Sequence, residues 1–210
     1  MTTVLVANPK GGVGKTTLAT NLAGYWANQG HQVMLGDLDK QESAATWLAI
    51  RPNTVARIGT WHKSSDGKIL RPPVGTTHAV LDSPAGLHGK RLRAVLLQVQ
   101  KIVVPIQPSI FDMYATREFL SELVSQLGKR KHMVRLVGMR VDERTVAAER
   151  LREFLSQLEL DWITNLRDTQ TYVQLAAQGL SLFDMQPERL PKDFAQWQPL
   201  TQWLDQTRPD

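Results

Sequence analysis

The chain has 210 residues, a hydrophobic share of 42% and a net charge of +5, which suits one domain with a filled core. It has no cysteine, so disulfides, thiolate metal sites and cysteine nucleophiles are excluded. The isoelectric point of about 9.6 permits a nucleic-acid or acidic-membrane partner, although an excess of this size also serves solubility alone.

Val4-Leu5-Val6-Ala7 is a short apolar run. Asn8-Pro9-Lys10 cuts it, so no signal peptide is expected. Lys10-Gly11-Gly12-Val13-Gly14-Lys15-Thr16-Thr17 follows, then residues 18–23 with helical spacing. Strand, glycine loop and helix form the context of a phosphate-binding loop. Glycines let backbone N–H groups close on a phosphate, and the helix turns its positive dipole end toward the charge. Lys15 is placed for the β- and γ-phosphates of a nucleotide, and the Thr16 hydroxyl for Mg2+. A glycine turn with two solvated lysines would not account for the flanking strand and helix. The general pattern asks for glycine at position 9, where Pro9 stands, and Lys10 is an additional lysine.

Gly30 reads as the helix stop, and residues 32–36 as a buried strand ending in Asp37-Leu38-Asp39-Lys40-Gln41. A helix from residue 43 ends at Arg51-Pro52. Residues 53–77 are the least regular stretch. There, 58–61 and 68–70 flank Ser64-Ser65-Asp66-Gly67 as a hairpin in a peripheral insertion, read as edge strands. Residues 78–82 form an apolar strand ending in Asp82, a carboxylate placed to hold Mg2+. A helix through 92–99, a strand at 101–105 and an amphipathic helix at 112–127 come next. The basic turn Gly128-Lys129-Arg130-Lys131-His132 leads to a strand at 133–140, a helix near 143–158 and a short strand at 161–163. Leu166-Arg167-Asp168 enters a helix at about 169–178, and the last helix covers 191–206, with Trp197, Leu200, Trp203 and Leu204 on one face. This alternation indicates an α/β fold with a doubly wound, mainly parallel sheet flanked by helices. Ligands then sit beyond the carboxyl ends of the strands, where the loop, Asp37, Asp39 and Asp82 converge. No apolar stretch approaches the roughly 20 residues of a membrane-spanning helix.

Lys10 to Thr17 resembles the deviant Walker A box of the ParA/MinD group of P-loop ATPases. Asp37-Leu38-Asp39-Lys40-Gln41 and Asp82-Ser83-Pro84-Ala85-Gly86 resemble the group's Asp-x-Asp-Pro-Gln and Asp-Thr/Ser-Pro-Pro-Gly boxes. The resemblance covers nearly the whole chain, closely in 3–41 and 78–86 and loosely beyond. It implies a P-loop NTPase domain over 1–210 that takes ATP and Mg2+. The nucleotide would lie on Lys10, Gly11, Gly12, Val13, Gly14, Lys15, Thr16 and Thr17, and the metal near Thr16, Asp37 and Asp82. Lys10 would act on the phosphates bound by a second subunit, Lys15 on its own, and Asp39 would orient the attacking water with Asp37 as support. Asp39 also suits a helix N-cap. Lys40 replaces the group's proline, which makes the turn less rigid and adds a cation near the phosphates. Residues 138–142 lie where relatives contact the base, often through an asparagine that this chain lacks. The nitrogenase iron protein shares the loop type but needs cysteines, so the chain is not one.

Within the group, MinD-like members bind membranes through a basic C-terminal helix. Here that helix has little nearby positive charge, and Asp205 and Asp210 are acidic, so packing on the sheet and no membrane partner are expected. ParA-type members bind DNA without sequence preference as ATP-dependent homodimers. Candidate contacts are Lys129, Arg130 and Lys131, and Arg167, Arg189 and Lys192, each also readable as a solvated face. Metabolic synthetases of the cobyrinate diamide synthase or dethiobiotin synthetase type share the fold but would need a carboxylate-substrate pocket or an appended domain. The expectation is a small ParA-type ATPase, cytoplasmic and nucleoid-associated. Its slow hydrolysis, stimulated by a cargo adaptor protein, would position a plasmid, a chromosome or a protein organelle such as a carboxysome.

Overall fold

The structure, a computed structural model, describes residues 1–61 and 72–206. Short apolar runs that alternate with helices can be buried on both faces only as strands of a central parallel sheet. They form β1 (Thr2–Val6), β2 (Val33–Asp37), β3 (Gly59–Trp61), β4 (His78–Asp82), β5 (Lys101–Ile106), β6 (Val134–Met139) and β7 (Trp162–Leu166). The sheet order is β3-β2-β4-β1-β5-β6-β7, and every pairing is parallel. The chain leaves β1 for one side of the sheet and later crosses to the other, so β1 stands at the switch point, where a crevice opens.

The helices are α1 (Lys15–Asn28), α2 (Ser43–Ala49), α3 (Gly89–Leu96), α4 (Ile110–Leu127), α5 (Val146–Ser156), α6 (Gln170–Ala176) and α7 (Pro191–Asp205). They divide between the two faces. Leu92 and Leu96 of α3, Leu123 of α4 and Leu151 of α5 join one core layer. Leu18, Leu22 and Trp26 of α1, Trp47 of α2 and Trp197 and Leu200 of α7 join the other. The apolar face of α7 is therefore buried, with Trp197 fully so. No helix among the described residues is long and apolar enough to cross a membrane.

Register explains why the carboxylates gather. Val6 pairs with Asp82 and Asp82 with Asp37, so three strand ends lie on one rank. Asp37 is thus the last residue of a strand rather than part of the turn after it. β7 extends further than the expected 161–163, because Thr164 and Leu166 point inward and are buried. The expected hairpin takes another form at its first arm: Gly59–Trp61 is an edge strand parallel to β2. The turn at 64–67 and the arm at 68–70 lie outside the described residues.

Candidate functional site

The loop between β1 and α1 is shaped by its glycines. Gly12 and Gly14 have φ of 75° and 98°, a left-handed region that strains any residue with a Cβ. A Cβ on Gly14 would also lie 2.7 Å from Met139 Cε. Between them Val13 is 1% exposed and pins the loop to the core. Gly14 caps α1 without a side-chain hydrogen bond, and no acidic residue sits in the first turn. The helix thus presents its uncompensated N–H groups and positive end to the loop.

Lys15 folds back over this loop. Its Nζ donates to the Lys10 carbonyl at 2.6 Å. Burial lowers its pKa, while Asp82 and then Asp39 pull it upward. Lys10 points elsewhere: its side chain is 42% exposed and its Nζ lies 4.0 Å from Asp112 on α4.

Two further residues hold the loop. Asn8 Nδ2 donates to the Pro105 carbonyl at 2.7 Å and to Thr116 Oγ1 at 2.9 Å, and Asn8 Oδ1 accepts the Lys10 N–H. Gln107 Nε2 donates to the Gly12 carbonyl at 3.1 Å. Sequence reasoning saw Asn8 only as the end of an apolar run. The available signal was a buried-type position filled by an amide directly before a glycine loop.

Beneath the loop, Thr16 Oγ1 donates to Asp82 Oδ2 at 2.7 Å. Asp82 Oδ1 and the neighbouring Ser83 Oγ are buried with no hydrogen-bond partner. Burial raises the Asp82 pKa to about 7, against the donation from Thr16. A buried carboxylate with an orphaned oxygen, beside a hydroxyl and a helix N-terminus, suits a hard divalent cation held through oxygen.

Asp37, expected near the metal, also holds the backbone around it. Its Oδ1 accepts the Asp39 N–H at 2.9 Å, and its Oδ2 accepts the N–H groups of Ala44 and Ala45 at 2.8 and 3.2 Å. Both oxygens are engaged in holding the turn and the start of α2, so the capping role considered for Asp39 falls to Asp37. Asp39 Oδ1 accepts the Gln41 N–H at 3.1 Å, and its charge acts on both Lys15 and Asp82.

Past the loop, a cavity of about 510 Å³ runs from Gly14 and Thr17 to Met139 and Arg140 after β6 and to Asp168 and Gln170 after β7. The expected base-contacting segment 138–142 thus reaches this cavity through Met139 and Arg140.

The candidate DNA contacts are scattered. Arg167 donates to both oxygens of Asp193 at 2.9 and 2.8 Å, and Asp193 is fully buried. Arg167, read as a candidate phosphate contact, ties the end of β7 to the start of α7. Lys131 pairs with Glu159 at 3.0 Å, and Arg130 Nη1 donates to the Leu96 carbonyl at 3.3 Å. Lys129, Arg189 and Lys192 are exposed.

Residues 4–182 match the family model CbiA, the CobQ/CobB/MinD/ParA nucleotide-binding domain. The chain belongs to this family. Its CobQ/CobB/MinD/ParA relatives include a maintenance of carboxysome distribution protein A from Gloeobacter kilaueensis, 30% identical over 96% of this chain and 93% of the relative. A chromosome-partitioning ATPase Soj from Thermus thermophilus is 31% identical over 70% of this chain and 73% of its own length. A Borrelia burgdorferi plasmid partition protein, solved with AMPPNP, superposes with a TM-score of 0.72 at 15% identity, over 96% of this chain and 99% of that one. That likeness establishes the fold alone.

Proposed function

We propose that residues 1–210 are one ParA-type ATPase domain that positions a cargo. The observation that carries this reading is the division of labour between two lysines. Lys15 is buried over its own loop, and Lys10 stands half-exposed at the loop's edge. One cation serves the phosphates bound in cis, and the other is available to phosphates bound by a second copy.

Backbone N–H groups of 11–17 and the start of α1 hold the phosphates of ATP. Thr16 and Asp82 hold Mg2+, with Asp37 in a supporting role. A Mg2+ ion held there would supply positive charge to offset the phosphates. Lys15 stabilises negative charge on the γ-phosphate, Asp39 orients the attacking water, and Lys10 adds a cation from the partner copy. ATP binding then joins two copies, the dimer holds DNA without sequence preference, and slow hydrolysis stimulated by an adaptor protein releases it. The protein acts in the cytoplasm on the nucleoid. The partition and carboxysome-distribution names of the relatives support this reading, and the burial of α7 on the sheet disfavours a membrane role.

Light scattering with and without ATP tests it. Wild type should double in mass with ATP. Lys10→Ala should bind ATP, stay monomeric and lose hydrolysis. A Lys10→Ala protein that dimerises and hydrolyses normally sinks the assignment.

A further inference from the structure

α3 begins with charges that oppose it. Lys90 and Arg91 stand in its first turn and Arg93 in its last, and the first turn holds no acid. The start of a helix is positive, so acids stabilise it and cations there destabilise it. All three cations are exposed. Among the described residues their side chains make no hydrogen bond and no ion pair. No aspartate or glutamate lies between Asp82 and Asp112 in the chain. From α4, Glu122 Oε1 is taken up by the Gly89 N–H at 2.7 Å and the Gln126 amide at 2.8 Å.

The fold does not account for these cations. Leu92, Val95 and Leu96 do the packing of α3 and lie in the core. At the far end of the helix, Arg130 donates to the Leu96 carbonyl at 3.3 Å. Its exposed neighbour Lys129 therefore extends the positive face. α3 and α7 belong to opposite core layers, so their cations can be removed separately.

The chemistry of the face selects its partner. An acidic peptide needs cations that line a groove, and these three line neither cavity beside the phosphate loop. A membrane surface takes an amphipathic helix by its apolar side, and that side of α3 is already in the core. A lattice of phosphates needs only clustered, exposed cations. We propose that the exposed face of α3, extended by Lys129, is a docking surface for the phosphate backbone of duplex DNA. This rests on the DNA-binding reading above and gives it a surface apart from the start of α7.

The test is fluorescence anisotropy of a labelled random duplex with the full chain, ATP and Mg2+, at two salt concentrations. Lys90→Ala, Arg91→Ala and Arg93→Ala in one protein should weaken binding by roughly 10- to 100-fold. The salt slope should become shallower by about one unit per phosphate contact removed. Thermal stability should hold or rise, since alanine favours the helix and relieves its positive end. ATP affinity and the ATP-dependent doubling in mass should not change. Arg91→Lys with Arg93→Lys should keep DNA affinity within about 3-fold, because counterion release counts charges. Undiminished DNA binding by the alanine variant overturns the proposal and leaves the DNA reading standing. A loss shared with ATP binding, dimerisation or stability, or a loss on the charge-conserving swap, also overturns it. If wild type binds no DNA at low salt, both fail. Capture by phosphatidylglycerol vesicles that the alanine variant lacks would then assign α3 to a membrane surface.

Discussion

Asp37 and Asp39 are two residues apart and do different work. Asp37 holds the Asp39 N–H and the first amides of α2. This fixes where the Asp39 carboxylate stands relative to Lys15 and Asp82, both of which feel its charge. If Asp39 orients water, its removal should leave ground-state binding alone. Asp39→Ala should keep ATP affinity within a small factor and slow hydrolysis by about 10²-fold or more, as for a positioned catalytic group. Single-turnover phosphate release alongside equilibrium binding measures both. Loss of ATP binding would instead make Asp39 a structural residue of the turn.

At the scale of elements, the ends of strands and helices are joined by polar clamps. Lys101 at the start of β5 donates to the carbonyls of Trp203, Leu204 and Gln206, and so closes the C-terminus of α7. At the same edge His78 opens β4 and packs on Trp26 of α1 and on His31, with ring centroids 4.6 and 3.9 Å away. Burial, and then the charge of His31, lower the His78 pKa from 6.5 to about 4. Between these values the unfolded chain binds a proton that the folded chain refuses. Stability therefore holds above pH 6.5 and declines as the pH falls toward 4. Urea midpoints at pH 7 and pH 5.5 should differ in wild type, and the difference should shrink in His78→Gln. An identical difference in both proteins would show that other groups set the slope.

At the scale of the molecule, the question is which cations remain for a polyanion. Arg167 is engaged by a buried acid and Lys131 by Glu159, whereas Arg189 and Lys192 stand exposed at the start of α7. ATP-dependent binding to random duplex DNA should fall with Arg189→Ala and Lys192→Ala, equally on unrelated sequences. Its salt slope should become shallower by about one unit per phosphate contact removed. Arg167→Ala should lower thermal stability, because it strands Asp193. ATP should be required, since a dimer doubles the cations facing the duplex. Gel shifts at two salt concentrations read this out. Absence of binding with ATP at low salt would move the assignment to the membrane branch if liposomes bind.

The phosphate loop was legible in the sequence because its determinants are local. Glycines at 12 and 14 set the backbone, and residues 18–23 set the helix that follows. The alternation of buried strands with helices was legible for the same reason, since hydrophobic period is a property of neighbouring residues. The tertiary structure decided what depends on strand order and register. Thr16 meets Asp82 across 66 positions and Arg167 meets Asp193 across 26. Asn8 meets Thr116 across 108. No local pattern announces such partners, because packing of the sheet brings them together. The same packing made Asp37 the clamp of the turn at its strand end.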